Sequence, residues 1–152
     1  MADYLVDANH VTAFFNQEAK VVQRLASVPA DTLFFLSKII RGELEGGHRL
    51  TVNADPVKVA EFWTFVGQQF NSIDPTDDTS RYYGEIIGRL SQNHTRKAGT
   101  KVERWLTNIG VQTNDVWFVA EAWSHNLICL TSDKMEKIKA VVTNDVVFDN
   151  WR

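Results

Sequence analysis

Four carboxylates stand beside the most apolar stretches of this chain. Asp7 ends the run YLVD, and Asp133 follows the run LICLT by two residues. Glu43 lies six positions beyond Ser37, which ends a second apolar run, and Asp115 opens an apolar helical stretch. Grouped carboxylates raise one another's pKa unless a cation neutralises them, and hard oxygen ligands suit Mg²⁺ or Mn²⁺. If these four acids converge, they predict a divalent-metal site for displacement at phosphorus.

Each acid also has an ordinary explanation. Asp115 alone is a favourable acid in a first helical turn, and Asp133 alone is a cap for the helix that follows. Glu43 alone is a solvated helix residue. Asp7 is harder to explain in this way, because an acid at the end of a buried strand usually has a partner. The prediction of a shared site therefore depends on where the four acids stand relative to the strands.

The apolar patterns predict the elements that position these acids. Short apolar runs read as buried strands, and stretches with apolar residues three and four apart read as helices. The predicted strands are 4–7, 31–37, 71–74, 127–131 and 146–151. The predicted helices are two short ones within 10–28, then 38–47 stopped by Gly46-Gly47, 56–70, 75–93, 115–126 capped by Asn114, and 133–141. Residues 94–112 are the least regular, with about one helical turn at Trp105.

Apolar strands that alternate with helices are typical of a parallel sheet covered on both faces. We therefore predict a single α/β domain over residues 1–152, with three α/β/α layers around a mainly parallel sheet. Ligands of such sheets bind at the carboxyl ends of the strands. Asp7 and Asp133 follow two of the predicted strands, so both are expected at that edge.

Composition places the chain among ordinary globular domains, with 44% hydrophobic and 23% charged residues. Its net charge of −3 argues against coating nucleic acid through bulk charge but leaves room for a local basic patch. The single cysteine, Cys129, lies in LICLT and is expected to be buried without a disulfide partner. The acidic start MADYLVDANH and the lack of a long apolar run favour a cytoplasmic protein without a membrane span.

Other kinds of site have no sequence signature here. No His/Cys spacing indicates zinc, and there is no GxSxG motif, Walker-type phosphate loop or GxGxxG motif. The chemistry that remains depends on carboxylates.

Two further features have open interpretations. The stretch HTRKAGTKVER groups Arg96, Lys97, Lys101 and Arg104, which form either an RNA-binding, phosphate-contacting edge or a solvated loop. Trp117 and Trp123 belong either to the core or to a partner surface, where tryptophan is enriched. His10 is interpreted as a polar surface residue without a catalytic role.

Three blocks of the sequence resemble the PIN domain family, as found in VapC-type toxins. YLVDANHV resembles the opening strand with its Asp and Asn, and LSKIIRGELEGG resembles the Ser followed six residues on by Glu-Leu. TNDVWFVAEAWSHNLICLTSDK resembles the third block, in which an Asp starts an alanine-rich helix and a strand leads to Thr-x-Asp. The third block is the most specific, and the resemblance covers nearly the whole chain.

The resemblance implies a divalent-metal-dependent endoribonuclease that hydrolyses RNA phosphodiester bonds with Mg²⁺ or Mn²⁺. It also implies a cognate antitoxin and a homodimer as partners. The residues that it assigns are the catalytic acids Asp7, Glu43, Asp115 and Asp133, the metal ligands Asp7, Asp115 and Asp133, and the supporting residues Asn9, Ser37 and Thr131. The chain departs from the pattern at Ala8, where a hydroxyl residue is usual, in its large aromatic residues after Asp115, and in a longer 94–112 segment.

Two alternatives remain open. A PIN-like module that binds RNA or protein without cutting is compatible with Ala8 and with the acidic net charge. A phospho-acceptor receiver domain also gathers acids at strand ends, but it needs a paired acid at the first strand, where this chain has only Asp7 with Asn9.

Overall fold

The computed structural model describes residues 2–152. A five-stranded, entirely parallel sheet forms its centre, with the strand order β3-β2-β1-β4-β5. The strands are β1 (Tyr4–Val6), β2 (Phe34–Ser37), β3 (Asn71–Ile73), β4 (Ile128–Leu130) and β5 (Phe148–Asp149). The central strand β1 pairs with β2 and β4, which places Leu5 opposite Phe35 on one side and Cys129 on the other. The predicted three-layer α/β/α class is confirmed.

Helices connect these strands and cover both faces of the sheet. They are α1 (Ala8–Phe15), α2 (Ala19–Ser27), α3 (Lys38–Leu50), α4 (Pro56–Gln69), α5 (Asp77–Asn93), α6 (Val102–Asn108), α7 (Thr113–His125) and α8 (Glu136–Val142). Helix α1 packs against α2, α3 and α4, whereas α5 packs against α7 and α8. Because β1 and β4 are buried on both faces, their residues are continuously apolar, as the sequence pattern indicated.

Local sequence signals explain several helix boundaries. Asp55 caps α4, with Pro56 at the first helical position, and Thr76 and Thr79 form a capping box at α5. Asn126 ends α7 in the left-handed conformation, with φ of 55°.

Two sequence signals that predicted helix boundaries are wrong. Helix α3 does not stop at Gly46-Gly47 but continues to Leu50, since both glycines keep helical backbone angles. The backbone N–H and the side chain of Thr51 then bond the Gly47 carbonyl. Asn114 does not cap α7, because it lies inside the helix and its side chain turns to another partner.

The strand order determines where a ligand-binding crevice can form at the edge of the sheet. The chain runs from β1 outward through β2 and β3, then returns to the other side of β1 for β4 and β5. The direction of winding therefore reverses between β1 and β4, and ligands of open α/β sheets bind at such a switch point. This order also differs from the 2-1-3-4-5 order of receiver-type folds, which argues against the receiver alternative.

Within residues 2–152, every helix is too short or too polar to cross a bilayer.

Candidate metal centre

An acidic cavity of about 140 Å³ opens at the switch point between β1 and β4. Its lining includes all four predicted acids: Asp7, Glu43, Asp115 and Asp133. Asp7 directly follows β1, Asp133 follows β4, Glu43 extends from the second turn of α3, and Asp115 lies in the first turn of α7. The parallel sheet thus brings together carboxylates that are separated by up to 126 positions in the chain.

Asp7 is the most tightly held of the four acids. It is buried, with 4% of its surface exposed, and it forms the N-cap of α1 by accepting from the His10 backbone N–H at 2.8 Å. Its second oxygen, Oδ2, accepts from the Thr131 hydroxyl at 2.6 Å. The Thr131 oxygen in turn accepts from the Asp133 backbone N–H at 3.0 Å. One threonine therefore joins the acid after β1 to the acid after β4.

Glu43 is exposed and has a partner from α7. Its Oε1 accepts from the Asn114 side-chain amide at 2.8 Å. Asn114 directly precedes Asp115, so this bond fixes the start of α7 against α3 beside the cavity. The sequence pattern assigned Asn114 only a capping role, and no local signal connects it with a residue 71 positions earlier.

The electrostatics of the cavity favour a bound cation. Burial, together with the negative charges of Asp133, Glu43 and Asp7 in that order, raises the pKa of Asp115 to about 6. Burial and the charge of Asp7 also raise the pKa of Asp133, while the charge of Lys139 acts in the opposite direction. Carboxylates that resist ionisation because they face one another are stabilised when a cation enters between them.

The donor set fits a hard divalent ion. Only carboxylate oxygens supply charge here, and Mg²⁺ and Mn²⁺ prefer such ligands. Within residues 2–152, no three His, Cys, Asp or Glu side chains are already arranged to hold an ion. Mg²⁺ keeps several of its waters and uses one or two carboxylates, so a cavity lined by four acids suits it without a preformed cage.

The supporting residues from the resemblance have different positions. Thr131 contacts two of the acids, as described above. Asn9 lines the cavity with an exposed side chain that bonds no other described residue. Ser37 is fully buried, caps α3 by accepting from the Ile39 N–H at 3.1 Å, and lies outside the cavity lining. Ala8 lines the cavity where the family pattern has a hydroxyl.

The predicted basic stretch does not reach the acids. Arg96, Lys97, Lys101 and Arg104 are exposed, and none of them lines the cavity. Arg96 instead bonds the Thr100 carbonyl at 2.6 Å, within its own loop.

Two lysines beside the cavity are not among the predicted basic residues. An open groove of about 450 Å³ adjoins the cavity and shares Asp115 and Met135 with it. Lys134 and Lys137 line this groove, and Lys137 also bonds the Ile109 carbonyl. The position of Lys134 directly after Asp133 was the available sequence signal.

His10 was misjudged as a surface residue. It is completely buried, and its ring contacts Asp7. Its spacing was the available signal, because a residue three after Asp7 and four before the core residue Phe14 lies on the inward face of α1.

Trp117 and Trp123 are half-buried and stack on aromatic residues of the same chain. Trp117 stacks on Tyr83 at 4.2 Å between ring centroids, and Trp123 stacks on Tyr82 at 4.4 Å. Both pairs join α7 to α5, and the Arg89 guanidinium lies over the Trp123 ring. These tryptophans are therefore used in packing the helix that carries Asp115.

A second buried acid lies on α7, outside the cavity lining. Glu121 is fully buried, and neither of its carboxylate oxygens has a hydrogen-bond partner among the described residues. Burial, opposed by the nearby Ser37 hydroxyl and supported by the charge of Asp74, raises its pKa to about 7.

Fold and cavity together define a three-layer α/β protein with a carboxylate-lined crevice at its switch point. Comparison with solved structures identifies the fold more closely. VapBC2 from Rickettsia felis, bound to a DNA fragment from its promoter, contains a chain 17% identical to this one with a TM-score of 0.73, and the match covers 99% of both chains. VapBC-1 from nontypeable Haemophilus influenzae gives 16% identity and a TM-score of 0.71 over 98% of each chain.

A third match is to VapBC-5 from Mycobacterium tuberculosis, a member of the VapBC family of toxin–antitoxin systems. It has 18% identity and a TM-score of 0.62, and covers 100% of this chain and 99% of that one. The sequence matches no model of a known protein family and has no significant match to a curated protein. The chain therefore shares the fold of chains in toxin–antitoxin complexes, in agreement with the PIN-like fold that the sequence predicted.

Proposed function

We propose that this protein is a divalent-metal-dependent endoribonuclease and the toxin of a toxin–antitoxin pair. The observation that carries the proposal is the convergence of Asp7, Glu43, Asp115 and Asp133 on one cavity of a fold shared with chains of VapBC complexes. Both the order of the acids along the chain and their positions relative to the strands agree with the PIN pattern.

Each side chain has a distinct task in this proposal. Asp7, Asp115 and Asp133 hold Mg²⁺ or Mn²⁺, and Thr131 keeps the first and third of these acids in register. Glu43, oriented by Asn114, accepts a hydrogen bond from the attacking water. The bound cation supplies charge neutralisation at the phosphate and lowers the pKa of a coordinated water.

The groove beside Asp115 provides a path for the RNA backbone. Lys134 and Lys137 offer ammonium groups along its wall, and phosphate contacts of this kind position a nucleic acid without reading its sequence. The chain carries a net charge of −3 and the groove also contains Asp115 and Glu136, so contacts with the two lysines rather than bulk charge would hold the substrate.

The partners follow from the same proposal. The matched solved structures are of toxin–antitoxin complexes, which supports a cognate antitoxin as a protein partner. We also propose a homodimer and a cytoplasmic location, as the resemblance implies.

Cleavage of labelled RNA tests the proposal directly. The purified chain is expected to cut RNA in Mn²⁺ or Mg²⁺ and to lose this activity in excess EDTA. Asp7→Asn and Asp115→Asn are each expected to reduce cleavage by at least about a hundredfold, since each removes a charged ligand of the cation. Asp77→Asn is the matched control, because it removes an exposed first-turn acid of α5 that is outside the cavity. Undiminished cleavage in excess EDTA would refute the metal dependence.

A binding module without nuclease activity is the second candidate. One observation favours it: both Asp7 oxygens and one Glu43 oxygen already accept hydrogen bonds within the chain. Calorimetric titration with Mn²⁺ separates the two candidates. Uptake that is lost in Asp115→Asn supports the nuclease, whereas no uptake by the wild-type chain supports the binding module.

A further inference from the structure

The buried ring of His10 has a hydrogen-bond partner at each nitrogen. Nδ1 lies 3.0 Å from Asp7 Oδ1, and Nε2 lies 3.2 Å from the backbone nitrogen of Trp151. The ring has no exposed surface, so water does not compete for either contact. These two contacts connect Asp7 through His10 to Trp151, which lies 141 positions after the histidine.

The Trp151 backbone determines where the ring proton lies. A backbone N–H can only donate, so Nε2 must accept with its lone pair. The single proton of a neutral imidazole then lies on Nδ1, from which it donates to Asp7 Oδ1. The ring is thus held as a donor to the carboxylate.

Counting lone pairs shows what this bond does to Asp7. A carboxylate offers about two acceptor positions at each oxygen. Oδ1 accepts from both the backbone N–H and the ring Nδ1–H of His10, which fills it. Oδ2 accepts only from Thr131, which leaves one position free. Asp7 therefore has one unused acceptor position, and it lies on Oδ2.

The segment that holds His10 is itself fixed in place. Trp151 is buried, stacks on Phe14 at 5.8 Å and donates from its indole nitrogen to Asp149 Oδ2 at 2.8 Å. Asp149 accepts from Arg24 of α2 at 3.2 Å, and Arg152 bonds Glu18 through two nitrogens. The residues that follow β5 are thus attached to α1 and α2, so the Trp151 N–H has a defined position.

We propose that His10 is a positioning residue for Asp7, and that the segment Asp149–Arg152 sets its orientation. The ring occupies Oδ1 and turns the carboxylate so that only Oδ2 is available to a cation. The cation-binding part rests on the proposed function, whereas the hydrogen-bond arrangement does not. Partners that orient a metal ligand in this way typically change metal affinity by 10–100-fold when they are removed.

Two substitutions separate positioning from folding. His10→Leu removes both ring contacts, whereas His10→Asn places an amide near the Nδ1 position and restores the donor to Asp7 without a partner for Trp151. We expect Mn²⁺ affinity to fall by about tenfold or more in His10→Leu and to return to within about threefold of wild type in His10→Asn. Both variants are expected to unfold at lower urea concentration, because both leave the buried Trp151 N–H unpaired. A purely structural role predicts equal losses of affinity in the two variants.

His125→Leu is the control, since it removes a histidine of α7 that lies outside the cavity lining. Its Mn²⁺ affinity is expected to match that of the wild type. A tenfold loss in this control would overturn the assignment to His10.

Magnetic resonance tests the arrangement without any metal. In the metal-free protein, the ¹⁵N signals of His10 are expected to show a protonated Nδ1 and an unprotonated Nε2. The carboxyl ¹³C signal of Asp7 is expected to move in His10→Leu and to return towards its wild-type value in His10→Asn. A proton on Nε2, or an unchanged Asp7 signal in His10→Leu, would overturn the proposal. If the wild-type chain took up no Mn²⁺, the proposed function would fail, and these signals alone would decide the role of His10.

Discussion

Replacing Asp115 by Asn is expected to stabilise the metal-free protein while abolishing its activity. The Asp115 carboxyl lies among three other acids, and burial together with their charges raises its pKa from an ordinary value of 3.8 to about 6. At about 1.4 kcal/mol for each pKa unit, ionising this group in the folded protein costs about 3 kcal/mol. Asparagine removes that cost and keeps nearly the same shape.

Two effects reduce the expected gain. A negative charge in the first turn of α7 is favourable by about 0.3–1 kcal/mol, and the substitution removes it. The side chain is also partly exposed, so solvent screens part of the repulsion. We therefore expect a net stabilisation of about 1–2 kcal/mol at neutral pH, or about 2–8 °C in Tm for a chain of this length.

The sign of the pH dependence follows from the raised pKa. Below a pH of about 3.8, Asp115 is protonated in both the folded and the unfolded state, and the penalty is absent. As the pH rises from there to about 6, the unfolded state ionises first, so the wild-type protein loses stability relative to Asp115→Asn. Above about 6 both states are ionised and the difference is constant.

Urea denaturation in EDTA measures this difference at about pH 4 and about pH 7.5. Asp77→Asn serves as the control, because Asp77 is a first-turn acid of α5 that lies outside the cavity lining. This substitution is expected to be neutral or slightly destabilising. Excess Mn²⁺ is expected to stabilise the wild type more than Asp115→Asn, since only the wild type has the full ligand set. If Asp115→Asn were no more stable than the wild type at about pH 7.5, the inferred crowding of charge in the cavity would be refuted.

Three further predictions test other parts of the structure. Thr131→Val removes the hydroxyl between Asp7 and Asp133 and is expected to lower the free energy of unfolding by about 2–4 kcal/mol, as measured by urea denaturation. Thr131→Ser keeps the hydroxyl and is expected to lower it by less than about 1 kcal/mol. Equal losses in the two variants would contradict the assigned bonds. Glu121→Gln is expected to stabilise the protein by about 1–3 kcal/mol at about pH 8 and by little at about pH 4, because burial raises the Glu121 pKa from 4.5 to about 7. Thermal unfolding at both pH values measures this difference, and a stabilisation that does not depend on pH would contradict it. Asn114→Ala is expected to change stability by less than about 0.5 kcal/mol but to lower RNA cleavage by about tenfold, because it removes the amide that orients Glu43. Unchanged cleavage would show that the bond between Asn114 and Glu43 does not orient this carboxylate.

The sequence predicted the architecture well because its signals are local. A buried strand between two helical layers has to be continuously apolar, so runs such as YLV and ICL indicate their own burial. A cap such as Asp55 before Pro56 acts within one helical turn and is visible in the sequence. The prediction of a stop at Gly46-Gly47 is wrong because neither glycine adopts the left-handed conformation that commonly ends a helix, and α3 continues to Leu50.

The convergence of the four acids was also predictable in outline. Parallel strands end at one edge of a sheet, so acids that follow two strands, or begin the adjoining helices, are brought to that edge by topology alone. The four acids can therefore be named from the sequence without knowing which residues they contact.

The contacts that orient the acids were decided only by the tertiary structure. His10 becomes a buried donor because the Trp151 backbone closes over it, and Glu43 gains the Asn114 amide from a helix 71 positions away. Arg96 lines neither the cavity nor the groove, whereas Lys134 lines the groove beside Asp115. Periodicity and spacing describe what a residue does within a few turns of its own helix or strand. Hydrogen bonds between distant segments depend on how whole elements pack, and it is these bonds that decide which carboxylate oxygen remains free.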